Sequence, residues 1–325
     1  MIRISGAKTA LLLAAVVGPG VGTARAAGPF ESELGTDPAA LAGEVKLSLM
    51  NGNADGDPSG RGPRPWLQAL GGPPKRVALA SFYVWDCGNK KENHYNPVYQ
   101  YKRTYNVMPQ AIDAYANELY NASIGGLKTA FAANGMQLLT ADEFLDTDAK
   151  RQAYESFQLE MGGMAKLFMH FEKSDADTWH FLGAPEFYRV FQLPTTGDVK
   201  GHHFPLATTG GGVARLAESL GHDLTTTLGV DAVVVLYNVV QGERKAIAMW
   251  GSYMYMFGPN PVPDSGKSLY WSGHQYSGVM LRMNVEFIQT DSDGNALTRD
   301  YAGYSVVPPA LAARMAEHLK ERSAK

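Results

Sequence analysis

The chain has 325 residues, with 29 Lys and Arg against 32 Asp and Glu, 45% hydrophobic residues and a single cysteine. That length supports one large or two small domains with a genuine core. The slight acidity argues against nucleic acid as a partner, since nucleic acid selects clustered positive charge. One cysteine excludes an internal disulfide, so stability has to come from packing.

Residues 1–26 read as a secretory signal. Arg3 and Lys8 form a basic start, Ala10 to Val17 is an apolar run too short to span a bilayer, and Ala24-Arg25-Ala26 offers a small-x-small cleavage site. Gly18, Pro19, Gly20 and Gly22 break a helix there, which disfavours the alternative of a buried N-terminal helix. The signal contains three of the basic residues and none of the acidic ones, leaving a mature chain starting near Ala27 with a net charge of about −6. No later apolar run reaches 18 residues, so no transmembrane helix is expected. Cys87 lies far from the cleavage site, which excludes a lipoprotein anchor there. The expected location is the periplasm or the exterior.

From residue 27 to 74 the chain is rich in Gly, Pro and Asp, which predicts a flexible arm with one short apolar piece, Val45 to Met50. Residues 75–325 are read as one domain. Arg76 to Trp85 is a nearly continuous apolar run, as in a strand covered on both faces. Val98 to Val107 suits a strand or an extended loop. A helix follows from Pro109 to about Asn134, with Ile112, Tyr115, Ala116, Leu119, Leu127 and Phe131 on one stripe and a weak point at Gly125-Gly126. Met136 to Thr140 is a short strand, and Thr140-Ala-Asp-Glu143 has the form of a capping box. Helix is expected to continue from Asp148 to Lys173.

The segment 146–209 stands out as an insertion of helical and irregular character. Its second half mixes aromatics, among them Trp179, Phe181, Phe187, Tyr188 and Phe191, with turns and the pair His202-His203. Beyond it, Val213 to Leu228 reads as helix and Asp231 to Gln241 as a buried strand. Lys245 to Phe257, Val279 to Thr290 and Ala296 to Val307 follow as further strands, and a closing helix opens at Pro308-Pro309. Helical crossovers followed by a meander imply an α/β fold, a three-layer mixed sheet with flanking helices.

Three patterns in this order carry a resemblance. Arg76-Val-Ala-Leu-Ala-Ser-Phe82 is an opening strand ending in Phe; Leu228-Gly-Val-Asp-Ala-Val-Val-Val235 steps from helix to strand; Val285 to Ala302 is a hairpin about an Asp-Gly turn. Together they resemble the α/β domain of the curli-secretion-subunit superfamily, which includes outer-membrane activators of penicillin-binding proteins and the N-terminal domain of TolB. The resemblance implies a periplasmic, non-enzymatic protein that works by binding, assembling or regulating other proteins, with no catalytic residues to carry over. The lipobox cysteine of lipoprotein members is missing, and nothing in about 146–209 matches.

Several chemistries are tested by their motifs. Pro261-Val-Pro-Asp-Ser-Gly266-Lys267-Ser268 has a proline where a phosphate loop needs its first glycine, and it joins two strands instead of opening a helix. Asn51-Gly-Asn53-Ala-Asp55-Gly56-Asp57 begins like a calcium loop, but Gly62 occupies the bidentate glutamate position. Asp291 to Asn295 is a hairpin turn. His202 and His203, with His180, His222 or His274, are the candidate ligands of a zinc site, although adjacent histidines diverge. Cys87 is a candidate thiol beside a plainer reading as a strand-end cysteine. No nucleophile elbow is present, and no cofactor is called for. The aromatic set Trp250, Tyr253, Tyr255, Tyr270, Trp271 and Tyr276 around the excursion 258–277 is the candidate recognition surface, against the plainer reading that strand residues alternate into the core. The expected partner is an envelope protein or a second copy of the chain. Two other functions remain open: a secreted enzyme, with or without a metal, whose site lies in 146–209, and a periplasmic small-ligand-binding protein.

Overall fold

The computed structural model describes residues 29–48, 71–86, 92–95, 100–103, 109–159, 181–193, 216–242, 246–260, 272–290 and 296–323. Two short helices, α1 (Pro29–Leu34) and α2 (Pro38–Ala42), precede the short strand β1 (Lys46–Leu47). They are followed by β2 (Arg76–Asp86), the separate hairpin β3 (Glu92–Tyr95) and β4 (Gln100–Arg103), the long helix α3 (Pro109–Ala133) and β5 (Gln137–Leu139). Next come α4 (Ala141–Phe144), α5 (Asp148–Ser156), β6 (Phe181–Gly183), a π-helical turn (Ser219–Leu224) and α6 (Thr225–Leu228). The chain closes with β7 (Ala232–Gly242), β8 (Ala246–Pro259), β9 (Gly273–Thr290), β10 (Ala296–Arg299), α7 (Tyr301–Tyr304) and α8 (Val307–Ser323).

Eight strands form one mixed sheet in the order β1-β9-β8-β7-β2-β5, with β10 added to β9 and β6 to β2. β2 runs parallel to both β5 and β7, whereas β7, β8 and β9 form the antiparallel meander. The fold is thus α/β with helices on both faces, as the alternation of crossovers and meander implies. The β2–α3–β5 crossover moves one way across the sheet and the return from β5 to β7 moves the other. Right-handed connection therefore places α3 on one face and α5, the π turn and α6 on the opposite one.

Neighbouring residues of β2 show the two faces directly. The Phe82 ring meets Tyr120 of α3 edge-on at 5.6 Å. The next residue, Tyr83, points the other way and its hydroxyl accepts the Leu193 N–H at 3.2 Å. Being covered on both sides explains why β2 is an unbroken apolar run, buried from Val77 to Asp86. Asp231, in the Gly-Val-Asp step, aligns the parallel pair: its Oδ2 accepts the N–H groups of Lys75 and Arg76 at 2.9 and 2.8 Å. The aspartate has a structural duty that needs no ligand. At the weak point of α3, a Cβ on Gly126 would lie 3.0 Å from the Pro309 ring, so the glycine lets α8 approach.

Several boundaries differ from the sequence reading. Residues 29–48, placed in a flexible arm, are fastened to the domain. Phe30 is fully buried against Tyr304 and Phe287, at 5.9 and 6.0 Å, and its N–H reaches Asp300 at 2.7 Å. The Gly- and Pro-rich composition masked three isolated apolar anchors, Phe30, Leu41 and Val45. The helix beginning at Asp148 ends at Ser156, because Phe157 turns to φ −58, ψ 130. The last strand ends at Arg299, not Val307: Asp300 accepts the Gly303 N–H and starts α7. β8 and β9 also run further than expected, narrowing the excursion, and residues 261–271 lie outside the described set. Among the described residues, no helix is long and apolar enough to cross a membrane.

Candidate functional site

The predicted aromatic set divides sharply. Tyr253 and Tyr255 on β8 are buried, and they stack with Tyr237 of β7 at 4.9 and 6.1 Å with nearly parallel rings. Tyr83 extends the row on the other side of Tyr237 at 5.0 Å. Burial raises the Tyr83 and Tyr237 hydroxyls well above the usual phenol range, and the neighbouring phenols push Tyr237 further. Tyr255 shares a 2.6 Å hydrogen bond with Ser48, tying the N-terminal segment to the sheet. Tyr276 is the extra residue of a bulge in β9. Its ring lies over Gly258, where a Cβ would come within 2.2 Å, and its hydroxyl donates to the Pro259 carbonyl at 2.6 Å. These three tyrosines are buried in the interior, because period-two alternation in a sheet covered on both faces directs them inward. Trp250, the bulged residue of β8 opposite β7, is partly buried against the core. Tyr270 and Trp271 lie outside the described residues.

So do His202, His203, His180, Cys87, the Asn51–Asp57 run and the Pro261–Ser268 stretch. His222 pairs with the adjacent Asp223 at 2.9 Å, and His274 is nearly buried in β9. Among the described residues, no group of three or more His, Cys, Asp or Glu is placed to hold a metal. One Ser–His pair has the contact of a nucleophile with its base: Ser277 Oγ lies 2.9 Å from His318 Nδ1. Both side chains are sealed between β9 and α8, at 0% and 3% exposure, so the pair pins helix to sheet. Asn238 similarly accepts hydrogen bonds from Ser252 and Tyr304, both at 2.7 Å, inside the sheet–helix interface.

The residue that breaks this pattern is Phe187. It is the exposed large hydrophobic of the described structure, at 72% exposure, and its φ of +69° is the positive value among non-glycine residues there. It occupies the third position of a turn closed by Tyr188 N–H donating to the Pro185 carbonyl at 3.1 Å. A positive φ at that position is normally taken by Gly or Asn, because a Cβ crowds the backbone by about 1–2 kcal/mol. A bulky aromatic there is a marked outlier.

The surrounding contacts hold the turn in place. Ala184 and Glu186 donate their N–H groups to Asp113 and Asn117 of α3, at 3.1 and 3.2 Å. Gly183 of β6 fits so closely that a Cβ would fall within 2.4 Å of Ile112. The Tyr188 hydroxyl bridges the Ala141 N–H and Tyr120, each at 3.2 Å. Arg189 turns inward to the Tyr154 carbonyl at 2.7 Å and to the Phe157 carbonyl, and its own N–H meets the Tyr154 hydroxyl, itself bonded to Ala80 of β2. Each such bond is worth about 1 kcal/mol net, so together they offset the strain at Phe187. The result is an apolar side chain projected into solvent from a loop wired to α3, α4, α5 and β2.

The sequence placed Phe187 in its least interpretable stretch. Pro185 signals a turn, but nothing in the residue types indicates that an aromatic side chain takes the left-handed position. No family model, no curated protein and no solved structure matches this chain.

Proposed function

We propose that this chain is an exported bacterial envelope protein that acts by binding another protein, and that the Phe187 turn is its contact point. The observation carrying the reading is a strained, rigidly anchored and exposed phenylalanine. Strain held in place by many contacts is characteristic of sites selected for something other than stability. Binding hot spots are typically rigid aromatic side chains that enter a partner's pocket with little loss of conformational freedom. The basic start, short apolar run and cleavage site of residues 1–26 support export. The resemblance of Arg76–Phe82, Leu228–Val235 and Val285–Ala302 to a superfamily of binding and assembly proteins points the same way.

Two measurements test the reading. Mass analysis of protein recovered from cells should give a chain beginning near Ala27; an intact N-terminus would overturn export. A photo-reactive phenylalanine analogue at position 187 should give a discrete protein adduct in the native envelope, and the same analogue at exposed Glu317 of α8 should not. Equal labelling from both positions would remove the turn as a contact point.

A further inference from the structure

The chemistry around Phe187 selects among partners, and, resting on the binding role above, we infer that the turn docks into an apolar pocket of a second, different protein whose rim is basic. Next to Phe187, Glu186 is exposed. Asp113 lies directly beneath the loop, accepting the Ala184 N–H. Asp142 is exposed on α4, and together with Glu143 it acts on Tyr120, the ring that supports Tyr188. Neither Glu186 nor Asp142 has an ion-pair partner among the described residues. Among the described residues, Lys128 binds Glu143 at 2.7 Å and Arg189 is directed inward to backbone carbonyls. Within that described set, the turn is therefore an apolar point in an acidic field.

That field disfavours the two other occupants of such a point. In a two-fold self-association the same patch would face itself, placing Glu186 and Asp142 of both copies together. Insertion into a lipid surface would bring those carboxylates against anionic head groups, where basic residues, not acidic ones, are attracted. A pocket rimmed by Lys or Arg satisfies both the ring and the charges.

The test uses the full mature chain carrying the photo-reactive analogue at 187, followed by titration of the purified, cross-link-identified protein. Its Kd should rise about tenfold between roughly 50 and 500 mM NaCl, and about tenfold in the double variant Glu186→Lys, Asp142→Lys. Phe187→Ala should abolish binding at any salt concentration. If Phe187→Ala abolishes binding but salt and charge reversal leave Kd unchanged, the basic rim is wrong and the binding role stands. If Phe187→Ala binds like the wild type, the binding role itself falls. An adduct consisting of a second copy of the chain, or of lipid, overturns the inference in favour of that occupant.

Discussion

Two groups of aromatic residues in this molecule face opposite ways for opposite reasons. On β7 and β8, Tyr237, Tyr253 and Tyr255 stack in a buried row, with the Tyr255 hydroxyl bonded to Ser48. In the turn after β6, Phe187 has no such cover and sits where its own backbone is strained. The tyrosines follow from hydrophobic burial, whereas Phe187 runs against both burial and backbone preference. An aromatic side chain with a polar tip in a strand is therefore poor evidence of a recognition surface. An apolar one kept outward by a strained, well-bonded turn is better evidence.

The largest effect should come from the interior. Tyr255→Ala removes a ring stacked on Tyr237 and Phe257 and its 2.6 Å hydrogen bond with Ser48. A loss of about 3–5 kcal/mol in unfolding free energy is expected from denaturant titration. A loss below about 1 kcal/mol would mean that the row is loosely packed and that the contrast with Phe187 is overstated. Gly258→Ala should come next, at about 1–3 kcal/mol, because the new methyl would meet the Tyr276 ring at 2.2 Å. Pairing it with Tyr276→Ala isolates the effect of the ring. If the ring is the obstacle, the glycine substitution costs little in the Tyr276→Ala background.

Much of the interior was legible in advance because it is regular. The β2 run, the stripe of α3 and the meander of β7 to β9 each repeat a period that chemistry enforces along many residues. The capping motif at Thr140 was legible for the same reason: Glu143 Oε2 accepts the Thr140 N–H at 2.8 Å. What escaped was local and non-periodic. Phe30 is a single buried ring in a Gly- and Pro-rich stretch, and its burial depends on Asp300 and Tyr304, about 270 residues away. Phe187 depends on a backbone dihedral set by Asp113, Asn117 and Tyr120, none of them near it in sequence. No window along the chain contains those relationships. The aromatic cluster around 258–277 was visible for the opposite reason: composition shows rings, but not which way they face.

Phe187→Gly tests the surface half of the comparison with a gain instead of a loss. Glycine adopts φ near +69° freely, so the strain disappears, offset in part by the greater freedom of glycine in the unfolded chain. A net stabilisation of about 0.5–1 kcal/mol is expected, seen as a rise in Tm, together with loss of partner binding. Stability and binding moving in opposite directions would mark a side chain held for recognition. A destabilisation above about 1 kcal/mol would instead make Phe187 a packing residue and remove the contrast.

The smallest effect should lie beneath the turn, at Glu143. Partial burial alone would push this carboxyl up, but hydrogen bonds from Lys128 and from the Thr140 N–H and hydroxyl outweigh it and hold the group below its ordinary value. A carboxylate whose pKa is lowered by folding adds stability above its unfolded value, and loses it as pH falls through the folded value. Glu143→Gln keeps an acceptor for Thr140 but removes the charge. Because the side chain is largely exposed, the cost at neutral pH should be only about 0.2–0.5 kcal/mol, and it should fade as pH falls through the ordinary glutamate range and vanish below the lowered folded value. Denaturation of both proteins across that range checks it. The small size matters, because Glu143 caps α4, whose Ala141 N–H binds the Tyr188 hydroxyl next to Phe187. A cost above about 1 kcal/mol, independent of pH, would mean that the turn depends on this cap as tightly as the tyrosine row depends on its packing. The rigidity of the turn would then come from one helix start, and not from the many separate contacts to α3, α5 and β2.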